Sequence, residues 1–238
     1  MIIFGHRGAA GEAPENTIAA LRHAMSQGIT RFEIDLRLSA DDQLVVLHDN
    51  NLLRTTGIDQ AITEVHSKDL AKLTVYGRND EHTTGIPTLR QLFDQCQAID
   101  LIQLELKSDE TTNKPLLIRQ LGRFFPDKKS TVNIVATSFD VDLLNSLKTH
   151  YPHIPIGLVS QADTNASIAK ALKLNCKLLC LQYELANKWN EKTIRALTAS
   201  ALHVSLWTVN DPDAVSSINR LPVNSIITDF PSRFRQLK

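Results

Sequence analysis

The chemistry-bearing residues of this chain fall into five short groups. His6 and Arg7 stand between Gly5 and Gly8, after the apolar run Ile2-Ile3-Phe4. Glu33 and Asp35 alternate with Phe32, Ile34 and Leu36, so on a strand the two acids share one face. Carboxylates set side by side repel each other unless a cation or an arginine lies between them. Glu105 and Lys107 repeat that spacing in Leu101–Lys107. His48 follows the apolar run Leu44–Leu47 and precedes Asp49, and Trp207 and Asn210 follow His203–Leu206. Taken alone, each group has a bland reading. His6-Arg7 would be an exposed turn, Glu33 and Asp35 a solvated edge beside Arg31 or Arg37, His48 a structural histidine and Trp207 packing. Brought together, three carboxylates suit a hard divalent cation such as Mg²⁺ or Ca²⁺. An arginine and a lysine beside that cation suit a phosphate. Two histidines, titrating near neutrality, suit a general acid and a general base.

The elements that must position these groups follow from the apolar pattern. Strands are predicted to start at 2, 31, 101, 132, 154, 177, 203 and 225, with an extra strand at 44–47 after the second. Helices are predicted between them, the first capped by Asn16. Residues 52–85 are polar and irregular, long for a βα connection, and read as an insertion with a short helix near Ser67–Leu70. Repeated βα units give a doubly wound sheet or a barrel. Eight units in 238 residues favour an α/β fold of the (β/α)₈ TIM-barrel type, with a small insertion after strand 2 at about residues 50–86 of a single 1–238 domain. No Gly-x-Gly-x-x-Gly stands at the first turn, which counts against a dinucleotide site. In a barrel all five groups fall at the carboxyl ends of strands, the face that carries active sites.

Bulk properties narrow the class further. Lys+Arg and Asp+Glu are both 26, so no net charge points to nucleic acid or a polybasic membrane contact. No apolar run has the length of a membrane span, and the first strand begins at residue 2, so a cytoplasmic protein with neither signal peptide nor membrane anchor is expected. Cys96, Cys176 and Cys180 cannot all pair within the chain, and the last two read as buried thiols in a strand region. Oligomeric state is not legible.

The motifs then match a family. His6-Arg7-Gly8 with Pro14-Glu15-Asn16-Thr17, Glu33-x-Asp35, His48-Asp49 with Leu53-Arg54-Thr55-Thr56, Pro87-Thr88-Leu89, Glu105-x-Lys107, Ser138-Phe139, Trp207-Thr208-Val209-Asn210 and Ile227-Thr228-Asp229-Phe230-Pro231 follow one another over nearly the whole chain. In this the chain resembles glycerophosphodiester phosphodiesterases. The resemblance implies a TIM barrel with a small insertion after strand 2 and one divalent cation, Mg²⁺ or Ca²⁺, on Glu33, Asp35 and Glu105. It implies His6 and His48 as the catalytic pair, and Arg7 and Lys107 on the phosphate of a small glycerophosphodiester; Trp207 is expected on the substrate. The expected reaction is hydrolysis to an alcohol and glycerol 3-phosphate. The rivals are a lysophospholipase D acting on lipid-bearing substrates and a silent barrel that binds a phosphodiester.

Overall fold

The computed structural model describes residues 1–78, 82–126 and 133–237. Its strands are β1 (Ile2–His6), β2 (Arg31–Leu38), β3 (Leu44–Val46), β4 (Thr74–Tyr76), β5 (His82–Thr84), β6 (Leu101–Leu106), β7 (Asn133–Ser138), β8 (Ile156–Ser160), β9 (Leu178–Gln182), β10 (His203–Trp207) and β11 (Ser225–Thr228). Its α-helices are α1 (Ile18–Ser26), α2 (Leu53–Thr56), α3 (Ser67–Leu70), α4 (Leu89–Gln95), α5 (Lys114–Phe124), α6 (Val141–His150), α7 (Thr164–Lys173), α8 (Glu191–Ala199) and α9 (Val215–Ile218). Eight strands pair in parallel in the order β1-β2-β6-β7-β8-β9-β10-β11, and β11 pairs back onto β1 with Ile2 opposite Ser225. The ring is closed: this is a (β/α)₈ barrel. Strand β3 folds back antiparallel on β2, Val46 opposite Leu36.

Side-chain alternation sorts the layers. Phe32, Ile34 and Leu36 face outward into the core shared with the helices, and so do Leu104 and Leu106. Glu33, Asp35 and Glu105, at the odd positions, therefore face the barrel interior. Below them a smaller interior cluster of Phe4, Val159, Leu178, Cys180 and Ile227 fills the barrel.

Several boundaries differ from the pattern reading. Thr17, not Asn16, caps α1, its hydroxyl accepting from the Ala20 N–H at 3.1 Å. Asn16 has a left-handed backbone (φ 58°) and its amide is committed elsewhere. The strand expected from Val132 is described from Asn133, and Val132 lies outside the described residues. In place of a full helix between β10 and β11 stand a 3₁₀ turn, Pro212–Ala214, and the four-residue α9. The segment between β3 and α4 is more regular than its composition suggests. It holds α2, α3 and an antiparallel β4–β5 hairpin. Leu52, Ile62, Leu70, Val75 and Ile86 pack there against Val45 and Leu47. Those apolar residues are too sparse to show a period, because each belongs to a different short element.

Candidate active site

The Gly5–Gly8 turn sets the first pair of groups. A Cβ on Gly5 would lie 2.0 Å from the Gly8 carbonyl oxygen, and Gly8 has φ 87°, so the turn is open to glycine at both ends. Arg7 between them takes φ 49°. That geometry points its own N–H at Glu33 Oε2 (3.3 Å) while its guanidinium reaches Asp35 Oδ2 (Nε, 3.1 Å) and Glu15 Oε1 (Nη1, 2.8 Å).

Glu33, Asp35 and Glu105 are all buried, with ligand-capable oxygens within 4.8 Å of one another. Asn16 holds Asp35 by two bonds, its amide N–H donating to Oδ2 (2.8 Å) and its Oδ1 accepting from the Asp35 N–H (3.3 Å). Lys107 lies between two of the acids, its Nζ 2.9 Å from Asp35 Oδ1 and hydrogen-bonded to Glu105 Oε1. Glu33 Oε1 is buried with no hydrogen-bond partner among the described residues.

The charges do not balance. Burial pushes all three carboxyls up. For Asp35 the nearby Lys107, Arg7 and His48 overcome it and hold the group below the usual carboxylate range. For Glu33 burial prevails, reinforced by Asp35 and Glu105, and its carboxyl is held well above the ordinary value. Glu105 is also raised by burial, against the pull of Lys107. Burial alone would lower Lys107, but Asp35 and Glu105 keep it raised, so it stays a cation. Three acids thus face two fixed cations, and a lone buried carboxylate costs several kcal/mol. The orphaned Glu33 oxygen, and carboxyls whose ionisation needs more positive charge than Arg7 and Lys107 supply, fit a divalent cation on Glu33, Asp35 and Glu105.

Each histidine is held by a carboxylate at Nδ1. His6 Nδ1 lies 2.6 Å from Asp229 Oδ1, which leaves Nε2 turned toward Glu33 Oε2 at 3.7 Å. Asp229 accepts at Oδ2 from Asn210 (3.0 Å) and Arg78 (3.2 Å). Burial alone would raise its carboxyl, but the hydrogen bond and charge of His6, then Asn210 and Arg78, hold it at about 2. His48 Nδ1 lies 2.6 Å from Asp49 Oδ1, and Arg54 donates to Asp49 Oδ2 (2.6 Å) and to both oxygens of Glu15 (2.8 Å each). Burial lowers the His48 imidazole, partly offset by Asp35.

These groups surround a cavity of about 230 Å³ at the carboxyl ends of the strands. His6, Arg7, Glu33, His48, Glu105, Lys107 and Trp207 all line it, while Asp35 lies just behind, 1% exposed. The opposite wall is carbon-rich, built from Val159, Ile227, Phe139 and Trp207. The last two rings meet edge to face at 5.7 Å.

The sequence gives no site role to Asp229, Glu15, Arg54 or Asn16, and it places Asn210 at the mouth without naming its partner. Only Asp49, adjacent to its histidine, was legible as a partner. The signal for Asp229 was its place directly after a barrel strand, in Thr228-Asp229-Phe230-Pro231.

Residues 6–233 match the model of the glycerophosphoryl diester phosphodiesterase family. The chain belongs to that family. Among curated members, a glycerophosphodiester phosphodiesterase of Caldanaerobacter subterraneus subsp. tengcongensis is 28% identical, over 97% of this chain and 94% of its own. The lysophospholipase D GDPD1 of Homo sapiens is 26% identical over 98% of this chain and 84% of its own. Among solved structures, an Oleispira antarctica phosphodiesterase in complex with the product sn-glycerol-3-phosphate superposes with a TM-score of 0.86 at 27% identity, covering 98% of this chain and 95% of that one. Among the described residues no helix is long and apolar enough to cross a membrane.

Proposed function

We propose that this family member hydrolyses small glycerophosphodiesters to an alcohol and glycerol 3-phosphate, with His6, His48, Arg7 and Lys107 acting around a cation on Glu33, Asp35 and Glu105. The observation that carries the assignment of roles is the buried carboxylate trio, short of positive charge, facing two histidines whose Nδ1 atoms are already committed. A divalent cation there, Mg²⁺ or Ca²⁺, supplies positive charge to a phosphoryl oxygen. Arg7 and Lys107 add fixed positive charge on the same side and orient the phosphate. With Nδ1–H pinned to Asp229 and Asp49, each histidine presents Nε2 to the cavity. One takes the proton from the attacking hydroxyl, and the other gives a proton to the departing alkoxide oxygen. Trp207 and Phe139 form the apolar rim against which the substrate is seated.

The cavity, about 230 Å³, suits a small diester better than a lipid-bearing one. The exposed Phe139 edge and the human lysophospholipase D relative keep a lysophospholipid as the second reading. Three free cysteines, all buried, suit a reducing compartment, and we assign the protein to the cytoplasm.

The test is steady-state hydrolysis of glycerophosphocholine and lysophosphatidylcholine, before and after exhaustive chelation. Glycerophosphocholine should be the better substrate, and activity should vanish on chelation and return with Mg²⁺ or Ca²⁺. Full activity in the chelated enzyme would overturn the cation assignment.

A further inference from the structure

Beneath the charged layer a buried amide donor is left over; the Trp207 ring N–H and the Ser205 hydroxyl are likewise buried without a partner among the described residues. Down the inward face of β6 stand Lys107, just past the strand end, then Glu105, then Gln103. Gln103 is 1% exposed, pairs in register with Glu33 on β2, and lines the cavity floor. Its Oε1 accepts from Cys180 Sγ on β9 at 3.3 Å. In this orientation the carboxamide turns its oxygen to the thiol. Nε2 is left buried with no partner among the described residues. An amide N–H withdrawn from water and unmatched is costly, so its retention calls for an acceptor that arrives later.

The surroundings describe that acceptor. The walls near the floor are Val159, Cys180 and Ile227, which offer carbon and sulfur rather than charge. A fragment entering this space therefore needs a short aliphatic skeleton carrying an oxygen. If the phosphate sits at the level of Arg7, Lys107 and the three acids, that fragment hangs one layer below it. We propose that Gln103 is a specificity determinant: its Nε2 donates to a hydroxyl of the glycerol unit, and the variable alcohol points out past Phe139. The proposal rests on the glycerophosphodiester reading above. It assigns to Gln103 and Cys180 the part of the substrate common to every member of that class.

Binding tests it without turnover. In calorimetry with the Mg²⁺- or Ca²⁺-loaded protein, sn-glycerol 3-phosphate is compared with propyl phosphate, which keeps the chain and the phosphate but lacks both hydroxyls. Wild type should bind the glycerol compound at least about tenfold more tightly, the yield of one hydrogen bond to an otherwise unmatched buried donor. Gln103→Met should lose about tenfold on glycerol 3-phosphate and almost nothing on propyl phosphate, closing a double-mutant cycle. Equal losses on both ligands, or none, would overturn the proposal. Wild type that fails to discriminate the two ligands would overturn it too, whether or not the variant folds. Failure of the activity reading is separate, and shows as wild type that hydrolyses no glycerophosphodiester.

Discussion

The two cavity histidines are each held by a carboxylate at Nδ1, but on unlike supports. His6 ends β1, a strand of the closed ring, and its partner Asp229 follows β11, the neighbouring strand that closes that ring. Asp229 is 5% exposed. His48 follows the β2–β3 hairpin, and its partner Asp49 belongs to a chain of ion pairs through Arg54 to Glu15, with the Arg54 side chain 48% exposed. Each carboxylate has a partly solvated arginine, Arg78 on Asp229 and Arg54 on Asp49, so the contrast lies in the carboxylates: Asp229 is buried beside the barrel strand, and Asp49 is only half-buried on a loop. Buried pairs keep their strength in water and salt, whereas exposed ones are screened. The difference teaches that rigidity in this mouth is unequal, and it can be broken experimentally.

The largest expected effect comes from removing either imidazole. His6→Ala and His48→Ala should each lower kcat on glycerophosphocholine by on the order of 10²- to 10⁴-fold. On a nitrophenyl phosphodiester, whose leaving group needs no proton, the general-acid variant should keep much more activity and the base variant should not. Paired kinetics on the two substrates decide which histidine is which. Equal losses on both substrates for both variants would remove the division of labour.

A middle-sized effect separates the supports. Asp229→Asn should cost roughly 10- to 100-fold in kcat, because a rigidly held imidazole then loses its orienting acceptor. Asp49→Asn should cost less than roughly tenfold, since Arg54 and solvent already share that carboxylate. Raising salt should slow wild type and Asp229→Asn alike through the His48 arm, and leave Asp49→Asn less sensitive. If the two asparagine variants are equally impaired and equally salt-sensitive, the asymmetry is wrong.

The smallest effect is a displacement of the pH profile. Burial lowers the His48 pKa, and the Asp49 hydrogen bond acts in the opposite direction. Asp49→Asn removes that support, so the His48 pKa must fall further. As a base, His48 would then shift the acid limb of kcat/KM to lower pH; as an acid, it would shift the alkaline limb to lower pH. Either way the limb moves down, and movement upward would contradict the stated balance of burial and hydrogen bonding.

The same contrast explains what the sequence made legible. Barrel strands could be read because they are near-continuous apolar runs, and the i,i+2 acids because alternation puts them on one face. Asp49 was readable as a partner because it adjoins His48. Asp229 was not, because 223 residues separate it from His6 and only ring closure brings them together. The local pattern marks Asn16 as a helix cap, since an asparagine before an apolar helix has that signature. The structure gives capping to Thr17 and the Asn16 amide to Asp35. Gln103 was invisible for a third reason: a polar residue in an apolar strand carries no local sign of whether it meets a partner.

Ring closure also orders events during synthesis. The carboxylates at 33, 35 and 105 emerge well before β11 and Asp229, which lie at 225–229. A ribosome adding about 5–20 residues per second therefore spends many seconds between the two. Throughout that interval β1 has an open edge and His6 has no anchor. The nascent chain can gather its acids early, yet His6 stays without its carboxylate partner until β11 and Asp229 have emerged.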